Sequence, residues 1–285
     1  SSESRMFIEV GKRVALSDLL HGIIIQSGND ATIAVAEHVA GAEDTFAALM
    51  NQHAQRIGMK NSHFSNASGV PDAQLYTTAL DMALLSRALI RDFPEWYAWF
   101  KQREFVFNKI KQPNRNLLLG LDPGADGIKT GHTEAAGFCL AASSLRAGRR
   151  LISVVMGAKG MQERARDSKA LLDYGFLFYE TTQLYGQGQP LAMLHVWKGA
   201  SEQFPAGTLQ PLALALPRGA TERLKISHQL DTSLVAPISA GQVLGRLSLS
   251  LDGKVLRTEP LVALQAVAEG SLFTRMADSV RMWFE

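Results

Sequence analysis

The hydrophobic period of this chain changes twice along its length, and those two changes limit the fold more than any single motif does. The first part carries apolar residues at helical spacing between clear stops. Ser17 is placed to cap LSDLLHGIII, ATIAVAEHVA runs on from QSGND to a stop at Gly41, and EDTFAALMNQHAQRI ends at Gly58, so three helices precede residue 60. Thr78 with Asp81 three residues later gives a capping-box pattern for LDMALLSRALI, which Pro94 closes. From about residue 103 the period shortens: REFVFNKI alternates, while GFCLAASS and RLISVVMG are β-rich runs joined by RAGR, a predicted hairpin. QERARDSKALLDYGFLFY is helical again and would cover that hairpin, giving an α+β or three-layer arrangement.

After about residue 180 the character changes once more. LALALP, LKISHQL, QVLGRLSLSL and LVALQAV are short apolar strands broken by Gly, Pro and the turn pair Asp252-Gly253. Residues 1–180 therefore read as one domain and 181–268 as a separate all-β domain, with 269–285 as a terminal helix. In that helix Phe273, Met276, Val280, Trp283 and Phe284 fall on or near one face, with Arg275, Asp278, Ser279 and Arg281 off it. Two placements stay open for it: flat on a membrane surface, or packed on its own domain or a neighbour.

Composition removes several function classes. The apolar fraction of 46%, charged fraction of 20% and net charge of +2 with interspersed signs are those of a globular protein with no nucleic-acid partner. The single cysteine, Cys139, excludes an internal disulfide and, within GFCLAAS, reads as a buried structural thiol. No run of about 18 apolar residues is present to span a membrane, and SSESRMFIEV has no signal-peptide pattern, so an export address would not lie in these residues. No His/Cys/Asp cluster has ligand spacing, so neither a metal nor a cofactor is expected.

Two small polar clusters interrupt the apolar pattern: QSGNDA at 26–31 and GIKTGHT at 127–133. Lys129, Thr130 and Gly131 stand before a predicted strand, where an ammonium and a hydroxyl can meet a carboxylate and a glycine admits a substrate backbone. Ser27 and Asn29 lie in a tight connection opened by Gly28, although Asn29 or Asp30 could simply cap the following helix.

In this order the clusters match two of the three elements of penicillin-binding proteins and class A β-lactamases: Ser-x-x-Lys, Ser-[Asp/Gly]-Asn and Lys-Thr-Gly. The wider text, in LLHGIIIQSGNDATIAVAEHVAG, LMNQHAQRIGMKNSHFSNASGV, QPNRN, DGIKTGHTEAAGFCLAASS and RARDSKALLDYGF, resembles the D-alanyl-D-alanine carboxypeptidases among low-molecular-mass penicillin-binding proteins. The resemblance covers essentially the whole chain. It implies a transpeptidase-like α+β domain, N-terminally incomplete, then a small β-domain and an amphipathic helix. It also implies a role for each motif residue. Ser27 would join the proton-transfer network beside the nucleophile, Asn29 would hold the substrate amide, and Lys129 would supply positive charge. Thr130 would help bind the terminal or β-lactam carboxylate, with Gly131 and His132 beside it. Arg164 would face the terminal D-alanine carboxylate, supported by Arg115; without the resemblance both read as solvated or salt-bridged surface arginines.

One element is missing. No Ser-x-x-Lys occurs in these 285 residues. In the family that tetrad provides the acylated serine and its activating lysine, and it lies several tens of residues upstream of the Ser-Gly-Asn loop. The sequence is thus expected to begin inside the catalytic domain. The implied activity is removal of the terminal D-alanine from peptidoglycan pentapeptides through an acyl-enzyme sensitive to β-lactams. The implied place is the periplasm, on the outer face of the inner membrane. Two rivals stay open: a non-catalytic peptidoglycan-binding or scaffolding protein anchored by residues 270–285, and a β-lactamase, against which the β-domain and His132 count.

Overall fold

The computed structural model describes residues 4–230 and 233–283. Two units divide the chain, one up to Leu177 and the other from Phe178 onward.

The first unit begins with α1 (Leu16–His21), which continues as a π-turn over Gly22–Gln26. Ser17 is not its cap. The helix starts one residue earlier after Ala15, and the Ser17 carbonyl instead accepts from His21 Nδ1 at 2.7 Å. The wide turn begins at Gly22, where the fully buried Met6 leaves no room for a side chain; a Cβ there would sit 2.3 Å from the Met6 sulfur. Helices α2 (Asn29–Ala40) and α3 (Glu43–Ile57) end at Gly41 and Gly58, whose φ angles of 78° and 88° favour glycine. Thr78 caps α4 (Ala79–Asp92) by accepting from the Asp81 N–H at 3.1 Å. The return arm of the capping box is not made, since the Asp81 carboxylate takes the Asn61 N–H and the Ser62 hydroxyl. Pro94 then opens the short α5 (Pro94–Tyr97).

A hairpin of β1 (Glu104–Phe107) and β2 (Ile110–Pro113) turns at Asn108-Lys109, both with positive φ. After α6 (Leu118–Leu121) come β3 (Ala125–Thr133), β4 (Gly137–Arg146) and β5 (Arg149–Ala158), an antiparallel sheet in that order, and then α7 (Met161–Phe178). Leu140 and Ala142 pack with Leu118 and with Leu172 of α7, while Ala141 packs with Ile128, Tyr97 and the α4 residues Leu89 and Ile90. The sheet therefore lies between α7 and α4, a three-layer arrangement. Emptying such a position, as in Leu172→Ala, costs about 2–5 kcal/mol.

Two readings change here. The Lys-Thr-Gly tripeptide stands within β3, not before a strand; ADGIKTGHT has too few apolar residues to show a strand period. Cys139 is only partly buried. Its cross-strand partner is Gly131, which has no side chain to cover the thiol.

The second unit contains β6 (Tyr179–Tyr185), β7 (Pro190–His195), β8 (Gln203–Gly207), β9 (Leu212–Pro217), β10 (Leu224–Leu230), β11 (Val243–Leu251) and β12 (Lys254–Ala263). They form a five-stranded sheet ordered β10-β11-β12-β8-β7 and the pair β6-β9. Phe204, Val196 and Leu261 centre one apolar core, and Leu212, Leu247 and Leu249 the other. Ser271 caps α8 (Leu272–Arg281) by accepting from the Thr274 N–H at 3.2 Å. Asp278 is buried and accepts from the Lys198 N–H at 2.7 Å, while Leu272, Phe273, Met276, Val280 and Trp283 are exposed. Phe284, assigned to the same face by sequence, lies outside the described residues. Among the described residues no helix is long and apolar enough to cross a membrane.

Candidate active site

Ser27 closes the π-turn in a left-handed conformation, φ 60° and ψ 41°, which is uncommon for a residue with a Cβ and costs on the order of 1 kcal/mol. That geometry brings its hydroxyl to β3, where Lys129 Nζ donates to Ser27 Oγ. Nζ also donates to the Thr130 carbonyl at 3.0 Å. The residue as a whole keeps some exposure, but its ammonium is withdrawn from water; burial first, then the charges of Arg115 and Arg164, pull its pKa down to about 8. A lysine so poised, touching a serine hydroxyl, can hold or pass a proton near neutral pH.

β3 is the edge strand of its sheet. An extended peptide can add along such an edge, and nothing lies within 4 Å of where a Cβ at Gly131 would be. His132 is exposed and rests on Phe138, its cross-strand partner, with ring centroids 4.0 Å apart.

Arg164 is not a surface cation. It is 3% exposed and projects from α7 beneath the strand end, where it donates to the carbonyls of Gly131 at 3.1 Å, Cys139 at 3.3 Å and Arg115 at 3.3 Å. Burial lowers its pKa. Its charge therefore sits under the Lys-Thr-Gly edge, with the visible hydrogen bonds spent on backbone. Arg115 stands exposed in the loop after β2.

The structure thus gathers Ser27, Lys129, Thr130, Gly131, Arg115 and Arg164. Among the described residues no hydrogen bond joins the Asn29 side chain to them. Asn29 is the first residue of α2, donates its N–H to the Ser4 carbonyl at 2.8 Å, and lines a groove of about 770 Å3 with Arg5, Glu9 and Asn108, to which Ser27 and Lys129 do not contribute. Neither Asn29 nor Asp30 caps α2; the cap position is Gly28.

Supporting residues that sequence reasoning missed lie just behind β3. Asn116 is buried and donates through Nδ2 to the Gly127 carbonyl at 3.1 Å. Tyr97 donates to Asp126 at 2.9 Å, and Arg150 pairs with the same carboxylate at 2.7 Å. Burial drives the Tyr97 hydroxyl pKa far upward, so it remains a donor. Asn116 was reachable as the second asparagine of the quoted NRN; the Tyr97–Asp126–Arg150 cluster joins three elements and has no local signature.

Comparison with known proteins now decides the family. The D-alanyl-D-alanine carboxypeptidase family matches residues 1–160, and the family of the penicillin-binding protein 5 C-terminal domain matches residues 179–269. The chain belongs to the D-alanyl-D-alanine carboxypeptidase family. It is 43% identical to the D-alanyl-D-alanine carboxypeptidase DacA of Escherichia coli over 283 residues, 99% of this chain and 70% of that one. It is 34% identical to DacF of Bacillus subtilis, over 98% of this chain and 73% of that carboxypeptidase. Among solved structures, penicillin binding protein 5 from Haemophilus influenzae superposes with a TM-score of 0.88 at 39% identity, covering 94% of this chain and 79% of that one. The resemblance and the fold class expected from the motifs are borne out: a transpeptidase-like domain, a small β-domain and a terminal helix.

Proposed function

We propose that these residues form the recognition and proton-transfer walls of a serine D-alanyl-D-alanine carboxypeptidase site, which removes the terminal D-alanine of peptidoglycan pentapeptides and is acylated by β-lactams. The observation that carries the reading is the Lys129–Ser27 contact at an open sheet edge. The peptide would lie along β3, with Gly131 giving its backbone room and Thr130 and Lys129 meeting its terminal carboxylate. Arg164 would act from below, adding positive potential and fixing the strand end through the Gly131 carbonyl. Ser27 with Lys129 would move a proton during acylation and again when water attacks the acyl-enzyme, whereas His132 and Arg115 would border the site.

Acylation itself needs the family's Ser-x-x-Lys, which these 285 residues do not contain. The rival is a second reading, in which the protein binds peptidoglycan peptides without cleaving them. Intact-mass spectrometry after incubation with a penicillin separates the two. The carboxypeptidase reading requires a one-to-one adduct on any form of the protein that also holds Ser-x-x-Lys, and none on residues 1–285 alone. Absence of the adduct on such a form, with peptide binding retained, would overturn it in favour of the second.

For α8 we propose a place on the periplasmic face of the inner membrane. The support is one exposed apolar row with Asp278 turned inward to Lys198.

A further inference from the structure

We propose that Asp30 is a positioning residue of the acyl-transfer site, its carboxylate lashing residues 6–8 to the loop that carries Ser27 so that the hydroxyl is held against Lys129. The inference rests on the reading of Ser27 and Lys129 as working parts of that site. Asp30 directly follows Ser27-Gly28-Asn29, and its two oxygens accept four backbone N–H groups. Three come from the strap: Met6 at 3.0 Å, Phe7 at 2.9 Å and Ile8 at 3.1 Å. The fourth is Ala31 at 2.9 Å, in the first turn of α2, where negative charge is also favoured by the helix dipole. An ordinary helix cap satisfies one or two donors of its own helix; here three of the four lie more than twenty residues away. The two oxygens of a carboxylate have acceptor sites enough for all four.

The strap then grips both sides of Ser27. Ser4 Oγ donates to the Gln26 carbonyl at 2.6 Å, and the Asn29 N–H donates to the Ser4 carbonyl at 2.8 Å, so one residue holds the Gln26-Ser27 peptide before the left-handed serine and the Gly28-Asn29 peptide one step after it. Its middle is anchored by Gln112 of β2, whose Nε2 donates to the Met6 carbonyl at 3.1 Å. Gly28 makes the close approach possible: a Cβ there would lie 3.0 Å from both the Met6 nitrogen and Asp30 Oδ1. These bonds favour the left-handed conformation of Ser27, in which its hydroxyl meets the Lys129 ammonium.

The test is an NMR titration of the Lys129 side chain, assigned by its loss in Lys129→Arg, in the 285-residue chain and in Asp30→Asn. The amide of the variant turns a donor toward N–H donors and should loosen the strap. Water then reaches the ammonium, and Lys129 should titrate at a pH higher by about one or more, with Arg115 and Arg164 the remaining charges facing it. A simple loss of stability would leave that midpoint in the folded protein where it was. An unchanged midpoint in folded Asp30→Asn overturns the proposal. Should Asp30→Asn not fold, Ser4→Ala removes a single bond of the strap; a smaller upward shift supports the proposal and no shift overturns it. The readout uses no substrate, so it fails separately from the carboxypeptidase reading, whose failure would appear as absent peptide binding while Lys129 still responds to Asp30.

Discussion

The ammonium of Lys129 donates to the hydroxyl of Ser27 across 102 residues of chain, joining the helical part of the first unit to the edge of its sheet. The charged lysine is held where water is scarce, and this has a consequence for stability. Its folded pKa of about 8 lies below the usual 10.5, so between those two values the unfolded chain binds the extra proton and stability rises with pH. The penalty is complete below pH 8 and amounts to at most about 3 kcal/mol. Urea unfolding of the chain at pH 7 and pH 10 should show the increase; Lys129→Met should remove the lysine's part of it.

Arg164 supports three carbonyls, on Gly131, Cys139 and Arg115. Arg164→Met should lower the unfolding free energy by about 1–3 kcal/mol, because three part-buried hydrogen bonds from a charged donor are lost. Arg164→Lys should recover only part, since an ammonium cannot reproduce the planar fork. Denaturant midpoints of the two variants check both statements. Equal stability of Arg164→Met and the parent chain would contradict them.

Gly127 lies two residues before Lys129, and a Cβ on it would come within 2.5 Å of the Tyr97 hydroxyl oxygen. Gly127→Ala should therefore cost about 2 kcal/mol or more by overpacking. Tyr97→Phe removes the clashing atom together with the hydrogen bond to Asp126. A double-mutant cycle should show Gly127→Ala costing less in the Tyr97→Phe background, a coupling of about 1 kcal/mol.

The legible features of the sequence were those with a local signature. The glycine stops at Gly41 and Gly58, the Thr78 cap and the Asp252-Gly253 turn all work through neighbours in sequence, and each stands where expected. The Ser17 cap is not formed because α1 already begins at Leu16, which puts Ser17 inside the helix. Ser27 and Lys129 were legible as motifs. Their contact, like the burial of Arg164 and the service of Asp30 to the strap, depends on tertiary packing that no periodicity encodes. The strand bearing Lys129 was hidden because β3 has few apolar residues to alternate.

The exposed row on α8 leads to a further expectation. Vesicles containing anionic lipid should pull down the chain, and a Phe273→Glu, Met276→Glu double variant should remain in the supernatant, since both side chains would be buried in the interface. Cosedimentation reads this directly. Equal binding of the two proteins would show that the apolar row does not face lipid.

The most direct test of the central claim is isothermal titration calorimetry of the chain at pH 7 with an acyl-D-alanyl-D-alanine peptide and with the same peptide ending in an amide. Lys129 is mostly charged at that pH. The account predicts measurable binding of the free carboxylate, and a loss of about tenfold or more on amidation as the charge-assisted contacts at Lys129 and Thr130 disappear. Equal affinity for both peptides would contradict the claim that this sheet edge is built to recognise a terminal carboxylate.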